Sequence, residues 1–123
     1  MLRGFEAARG TTVVVAPCDA PLLRPALVQL LLDQLPGFEA SVPQRRRFDP
    51  VRAVYERDAV LRELHRIGQP IESPSALVDR LRACFVDEEA MREADPRLVS
   101  FIDVNRASDF TRAERALRAE GDV

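Results

Sequence analysis

The chain has 123 residues, of which 46% are hydrophobic and 31% charged, and its formal net charge is −2. This composition indicates one globular domain, residues 1–123, and the charge gives no general attraction to nucleic acid or to an anionic membrane. No apolar run is long enough to cross a bilayer, and the first ten residues lack the apolar core of a signal peptide. We therefore expect a cytoplasmic protein without a nucleic-acid or membrane partner, and the sequence leaves its oligomeric state open.

The basic and metal-ligating residues exclude several chemistries. The sequence has no lysine, which rules out a lysine nucleophile, a Schiff base and a P-loop lysine. Cys18, Cys84 and the single histidine, His65, are too few for a structural zinc site. Two cysteines are also too few for a disulfide framework in so short a chain, which fits a reducing cytoplasm. His65 is expected to be solvated on the polar side of a helix.

The first predicted elements lead to an aspartate. Residues 3–9 are predicted to end a helix before Gly10, and the five β-branched residues 11–15 predict a buried strand. Asp19 follows in a proline-flanked turn. Open α/β sheets bind their ligands just beyond the carboxyl ends of strands, where an aspartate can hold a divalent metal ion and, through it, a phosphate. Capping of the next helix is the alternative role for Asp19.

The rest of the chain alternates between predicted helices and strands. Helices are predicted at residues 25–35, 57–67, 75–84 and 108–120, strands at 38–43, 50–55, 85–87 and 98–104, and an acidic helical turn or loop at 88–95. This alternation favours an α/β fold in which a mostly parallel sheet is covered on both faces, in three layers.

Four segments in this order resemble the second half of a known family. The segments VVVAPCDAPLL, ASVP, DPVRAVY and FIDVNRASDF are similar to those of the MobA-like nucleotidyltransferases, which include the molybdenum cofactor guanylyltransferases. The resemblance extends over essentially the whole chain and implies a Rossmann-like nucleotidyltransferase fold. It implies GTP and a molybdopterin-type phosphorylated acceptor as substrates, with magnesium as cofactor. A phosphate of the acceptor would attack the α-phosphorus of GTP and release pyrophosphate.

The same resemblance implies roles for particular residues. Asp19 falls on the family's aspartate that binds magnesium, and Asn105 falls on an asparagine near the active site. Arg52 falls on a substrate-facing position. Asp103 stands where the family usually has asparagine, and an acid there either adds a metal ligand or weakens anion binding. Residues 45–47, three consecutive arginines, either meet the acceptor phosphate bidentately or form a solvated loop.

The sequence departs from the family at its beginning. The family opens with a strand and a glycine-rich loop of the type LxGGxSxRMGxDK, whose backbone N–H groups hold the triphosphate, and no such segment occurs here. We therefore expect an N-terminally truncated member that is inactive by itself. Residues 13–15 should then lie beside a new sheet edge, where chains can pair or aggregate. Two alternatives remain: a nucleotidyltransferase for another acceptor, such as a sugar phosphate, phospholactate or cobinamide phosphate, or a degenerate, non-catalytic binding module.

Overall fold

The computed structural model describes residues 2–7, 9–17 and 22–102. Their helices are α1 (Leu2–Ala7), α2 (Pro25–Gln34), α3 (Arg57–Leu64), α4 (Pro74–Asp79) and α5 (Glu88–Ala94). Their strands are β1 (Thr12–Val15), β2 (Ala40–Pro43), β3 (Ala53–Glu56) and β4 (Ala83–Val86), and a short 3-10 turn covers Val99–Phe101. No helix in these ranges is both long and apolar enough to span a bilayer.

The four strands form one sheet in the order β1-β3-β2-β4. Strand β2 pairs with β4 in parallel, whereas β3 runs antiparallel to both β1 and β2. Three of the four strands therefore point the same way, which confirms the mostly parallel sheet. The reversal of β3 follows from the loop of residues 44–52, because a parallel crossover needs a dozen or more residues.

Helices cover both faces of the sheet, as predicted. Side chains of β3 alternate between the two faces: Ala53 and Tyr55 pack with α1, α3 and α4, and Val54 packs with α2 and α5. The first face is filled by a cluster that includes Phe5, Val60 and Leu77, which are almost fully buried. The described residues thus form an α/β arrangement of three layers, with one large apolar core on each face of the sheet and a third, small cluster around Leu22 and Val99.

The largest differences between the predicted and the observed elements lie in three segments. The helix predicted at 75–84 ends at Asp79. Cys84 lies instead in β4, which pairs in parallel with β2 and places Cys84 opposite Ser41. The strand predicted at 50–55 begins at Ala53, because residues 50–52 form a turn. The strand predicted at 98–104 is wrong over its described part, where the chain makes the 3-10 turn instead.

Strand β1 is not buried, although its composition predicted a buried strand. It lies at the end of the sheet, pairs with β3, and pairs on its other side with no strand in the part of the chain that the structure describes. Val14 is 46% exposed, and a groove of about 350 Å³ runs along Val13–Ala16 and Phe5. An apolar, uncharged edge strand of this kind is a template for pairing with another chain.

A buried carboxylate, that of Glu39, connects α3 to the starts of β2 and β4. Glu39 Oε1 accepts a hydrogen bond from the Arg82 backbone N–H at 3.0 Å, and its Oε2 lies 2.9 Å from Arg62 Nη1. The side-chain hydrogen bond from Arg62, followed by the backbone hydrogen bond from Arg82, lowers the pKa of Glu39 below its ordinary value of 4.5. Glu39 therefore stays ionised in the folded chain at neutral pH.

Replacement of the exposed valine on the edge strand is expected to reduce self-association. Val14→Arg places a charge on the free edge, and charges there oppose strand addition. Light scattering at increasing protein concentration should show less association for Val14→Arg than for the original chain. Ile67→Arg is the control, because Ile67 is 97% exposed but lies outside every strand. An equal reduction in both variants would contradict a role for the edge.

Loss of the buried carboxylate is expected to change how stability depends on pH. Glu39→Gln should lower the free energy of unfolding at pH 7 by about 1–3 kcal/mol, the contribution of hydrogen bonds to charged groups. Because folding lowers the pKa of Glu39, this contribution is present above its ordinary pKa and disappears as the pH falls through the lowered value. Urea unfolding at neutral and acidic pH should show the difference between the two chains shrinking in acid. Glu72→Gln, at an exposed loop position, should show no such effect.

Candidate functional site

An arginine-rich pocket opens at one end of the sheet. This is the end at which β1, β2 and β4 finish and β3 begins. The pocket has a volume of about 780 Å³, within the range of small-molecule sites. Its lining residues are Arg45, Arg46, Arg47, Phe48, Asp49, Arg52, Glu88 and Phe101. Four arginines thus face two carboxylates, which gives the pocket a positive balance in a chain whose net charge is −2.

The loop of residues 44–49 presents three of these arginines. The Asp49 N–H donates to the Pro43 carbonyl at 2.8 Å, and Gln44 and Phe48 form an isolated antiparallel bridge. The Gln44 N–H also donates to the Val86 carbonyl at the end of β4. These bonds close the loop at its base. The three arginines at residues 45–47 are consequently exposed at its tip.

Arg52 lies deeper in the same pocket. Its side chain is 7% exposed, and its Nη1 lies 2.6 Å from Asp49 Oδ2. Its Nε donates a hydrogen bond of 3.2 Å to the Ser100 carbonyl. Burial of a guanidinium is costly unless partners compensate its charge, and these two contacts supply such partners. They also define the position of the Arg52 side chain. Arg52 therefore joins the start of β3 to the 3-10 turn.

A buried tyrosine supports the turn that precedes Arg52. The Tyr55 O–H donates to the Pro50 carbonyl, and the ring makes an edge-to-face contact with Phe5. Burial, together with the charge of Asp49, raises the pKa of the Tyr55 phenol. Tyr55 is therefore a neutral hydrogen-bond donor at every physiological pH.

Phe101 provides an aromatic wall for the arginines. The guanidinium carbon of Arg45 lies 5.2 Å from the ring centroid of Phe101, and that of Arg52 lies 5.6 Å from it. Both distances are within the range of cation–π attraction. The ring thus holds one exposed and one buried guanidinium of the pocket in place.

Asp95 fixes the 3-10 turn that carries Phe101. Its carboxylate is 1% exposed and accepts hydrogen bonds from the Val99 N–H at 3.1 Å and from the Ser100 N–H at 2.9 Å. The preceding Leu98 has φ of 50°, a left-handed conformation that a leucine adopts only when its surroundings enforce it. The buried carboxylate therefore determines where the Ser100 carbonyl and the Phe101 ring meet Arg52.

Glu88, at the start of α5, is the second acid of the pocket. Its Oε1 lies 3.0 Å from Arg92 Nη2 and 3.8 Å from Arg45 Nε. Both Glu88 and Arg45 are about half exposed. In contrast to Asp49, this carboxylate is held loosely, between an arginine inside the pocket and one outside it.

The residues predicted for the site divide into two groups. Arg52 and the three arginines of the loop lie together in the pocket, whereas Asp19, Asp103 and Asn105 lie outside the described residues. Within the described ranges no three His, Cys, Asp or Glu side chains form a cluster suited to a metal ion. The magnesium site at Asp19 consequently remains a prediction. His65 is exposed, 3.4 Å from Glu6, as expected for a solvated histidine.

Three residues of the pocket and its support have no sequence pattern that identifies them. Phe101 lies in a segment with the pattern of a strand. Asp95 and Glu88 lie in the acidic run before it, which is typical of a solvated face. Aspartate four residues before the first residue of a turn is a weak signal for a buried cap. Their roles depend on contacts across long sequence distances, such as that between Arg52 and Ser100.

Removal of the Asp95 carboxylate is expected to loosen this wall of the pocket. Asp95→Ala leaves two buried N–H groups without their acceptor and should lower the free energy of unfolding by about 2–4 kcal/mol. Asp95→Asn keeps one acceptor oxygen and should have an intermediate effect. Asp87→Ala, which removes a single exposed cap of α5, should cost only about 1 kcal/mol. Urea unfolding measures all three, and equal losses at the two positions would contradict the role of Asp95.

Comparison with known proteins agrees with this fold. Residues 1–98 match the MobA-like NTP transferase domain. A molybdenum cofactor guanylyltransferase of Desulfosudis oleivorans is 28% identical over 121 residues, which cover 94% of this chain and 58% of that protein. A probable molybdenum cofactor guanylyltransferase of Methanosarcina mazei is 29% identical over 116 residues, with 87% and 49% covered.

Two solved structures share the fold. Molybdopterin-guanine dinucleotide biosynthesis protein A from Archaeoglobus fulgidus superimposes with a TM-score of 0.73 and 30% identity, covering 88% of this chain and 56% of that chain. A putative protein from Aquifex aeolicus, at 20% identity and a TM-score of 0.63, shows the fold alone, covering 84% of this chain and 52% of its own. The chain spans about half the length of the curated relatives it matches. The match over residues 1–98 shows that the chain belongs to the family of MobA-like NTP transferase domains.

Proposed function

We propose that this chain takes part in guanylyl transfer from GTP to the phosphate of a molybdopterin-type acceptor, and that the arginine-rich pocket binds the acceptor phosphate. The observation that carries the proposal is the convergence of four arginines in a cavity of about 780 Å³. Guanidinium groups bind phosphate oxygens bidentately and keep their charge at any physiological pH. The names of the relatives supply the acceptor and the nucleotide.

The sheet register supports a single reaction site for the pocket and Asp19. Val15 pairs with Ala53, so Arg52 lies next to the point where the chain leaves β1. Asp19 follows Val15 by four residues in the sequence, and open α/β sheets bind ligands just beyond the carboxyl ends of their strands. We infer that Arg52 and Asp19 act at one reaction site, Arg52 on the acceptor phosphate and Asp19, through magnesium, on the phosphates of the nucleotide.

In the proposed reaction, an oxygen of the acceptor phosphate attacks the α-phosphorus of GTP. A new P–O bond joins the two phosphates, the bond to the β-phosphate breaks, and pyrophosphate leaves. Arg45, Arg46, Arg47 and Arg52 would hold the acceptor phosphate and orient its attacking oxygen. Magnesium bound at Asp19 would offset charge on the phosphate oxygens. We further propose that Asn105 and Asp103 border the same site, with Asp103 as a possible further ligand for the metal.

The two halves of the reaction should separate in this polypeptide. The 123 residues contain the arginine pocket but no LxGGxSxRMGxDK-type loop for the triphosphate. We therefore propose that the 123-residue chain binds the acceptor while transferring GMP slowly or not at all. Asp19→Ala should not affect acceptor binding, because the arginines make those contacts.

Binding of molybdopterin by the 123-residue chain, followed by pterin fluorescence, tests the proposal. Arg46→Gln and Arg47→Gln should each weaken binding about three- to tenfold, since each removes a charged contact from an exposed loop without disturbing the core. Arg9→Gln removes an exposed arginine remote from the pocket and should leave the affinity unchanged. Equal affinities for all these chains would contradict the acceptor site. Release of pyrophosphate from GTP by the unmodified chain at about 10 s⁻¹, a typical enzyme rate, would contradict the expected lack of turnover.

A further inference from the structure

The two acids of the arginine pocket are held in different ways. The Asp49 carboxylate forms an ion pair with the buried Arg52 at 2.6 Å. The Glu88 carboxylate contacts two arginines, Arg92 at 3.0 Å and Arg45 at 3.8 Å. Since its shorter contact is with an arginine that does not line the pocket, Glu88 can lose Arg45 and keep a partner. Its negative charge nevertheless remains at the pocket wall.

Arg45 is suited to exchange this weak partner for a ligand. Its guanidinium lies over the Phe101 ring, which holds it inside the pocket whether or not Glu88 contacts it. An entering phosphate oxygen would therefore find Arg45 in place and only the 3.8 Å contact to Glu88 to break. Binding of one phosphate group is compatible with Glu88, at a moderate electrostatic cost.

Size does not restrict the pocket to one phosphate group. A volume of about 780 Å³ can hold a pyrophosphate or the polyphosphate of a nucleotide, and four arginines would attract either. Repulsion by a fixed carboxylate grows with the charge of the ligand, so it opposes polyphosphates more than a phosphomonoester. Selectivity by an added repulsive group is a general means of discrimination between related ligands.

We propose that Glu88 is the specificity-determining residue of the pocket: its carboxylate offsets part of the attraction of the four arginines, and it does so more for the highly charged polyphosphates than for a phosphomonoester dianion. The inference rests on the proposed function in one respect, that the pocket binds a phosphate. Within that function, Glu88 would lower the competition of the nucleotide and of the released pyrophosphate with the acceptor for this pocket.

Calorimetry with inorganic phosphate and inorganic pyrophosphate, at one fixed ionic strength, tests the role of Glu88. Glu88→Gln should tighten phosphate binding about threefold and pyrophosphate binding about tenfold, because the removed repulsion scales with ligand charge. Glu89→Gln is the matched control, since Glu89 is an exposed acid in the same first turn of α5 and does not line the pocket. It should change neither affinity by more than about twofold, because its charge is screened by solvent.

A second variant separates the contact from a general charge effect. Arg92→Gln removes the outer partner of Glu88, so the carboxylate should turn fully to Arg45 and weaken binding of both anions. In Glu88→Gln/Arg92→Gln this weakening should vanish, because no carboxylate remains to turn. Persistence of the weakening in the double variant would show that Arg92 acts as a through-space cation and would overturn the proposed exchange.

The outcomes also distinguish this inference from the proposed function. If Arg46→Gln weakens phosphate binding while Glu88→Gln changes both affinities equally or not at all, the specificity role of Glu88 is refuted and the acceptor pocket remains. If the original chain and Glu88→Gln bind neither anion, the phosphate role of the pocket falls, and this inference falls with it. Preferential tightening of pyrophosphate in Glu88→Gln alone supports it.

Discussion

The buried guanidinium of Arg52 is the constraint on which the site depends. It lies at the start of β3 and binds Asp49 in the preceding turn and the Ser100 carbonyl in the 3-10 turn. Two stretches of chain that are 48 residues apart are thereby fixed to one planar group. Breaking a buried ion pair by removing one partner generally costs about 3–5 kcal/mol, because the other charge is left uncompensated. The pocket is consequently built from a rigid inner arginine and a more exposed outer loop.

Strand direction explains why these groups meet at one end of the sheet. The carboxyl ends of β1, β2 and β4 lie at this end, and the antiparallel β3 begins there. The segments that follow β2 and β4 carry the arginine loop and the first residues of α5. Residues that are distant in sequence, such as Asp49 and Phe101, therefore line the same cavity.

The electrostatics of the pocket combine attraction with restraint. Arginine is the only basic residue type besides the one histidine, so every cation of the pocket is a planar group with several donors. Four such groups would attract any polyanion. The two carboxylates limit this attraction in different ways: Asp49 neutralises the inner arginine, and Glu88 keeps a negative charge at the pocket wall, paired only weakly with Arg45. The difference follows from burial, because a deeply buried ion pair cannot exchange partners as an exposed one can.

The sequence alone was sufficient for the class of fold. A run of β-branched residues predicted β1, and apolar residues at helical spacing predicted α2 and α3, near their observed positions; β2 also lies within its predicted range. Alternation of helices and strands predicted the three layers. The motif resemblance predicted Arg52 as a substrate-facing residue; the structure shows Arg52 in the lining of the pocket, and its role toward a substrate stays a prediction.

Features that depend on partners far along the chain were not predictable from local pattern. A run of β-branched residues has the same sequence in a central strand and in an edge strand, so the exposure of Val14 was missed. The 3-10 turn replaces a predicted strand because the buried Asp95 carboxylate accepts hydrogen bonds from the Val99 and Ser100 N–H groups of the turn.

The sequence by itself thus determined the fold class, the positions of most elements and the presence of three arginines in one loop. Only the tertiary structure decided that these arginines meet Arg52, Phe101 and Glu88 in one cavity. The physical reason is that a local sequence pattern reports which face of a segment is buried. Which charged groups become neighbours is decided by strand order and direction, and those follow from the packing of the whole sheet.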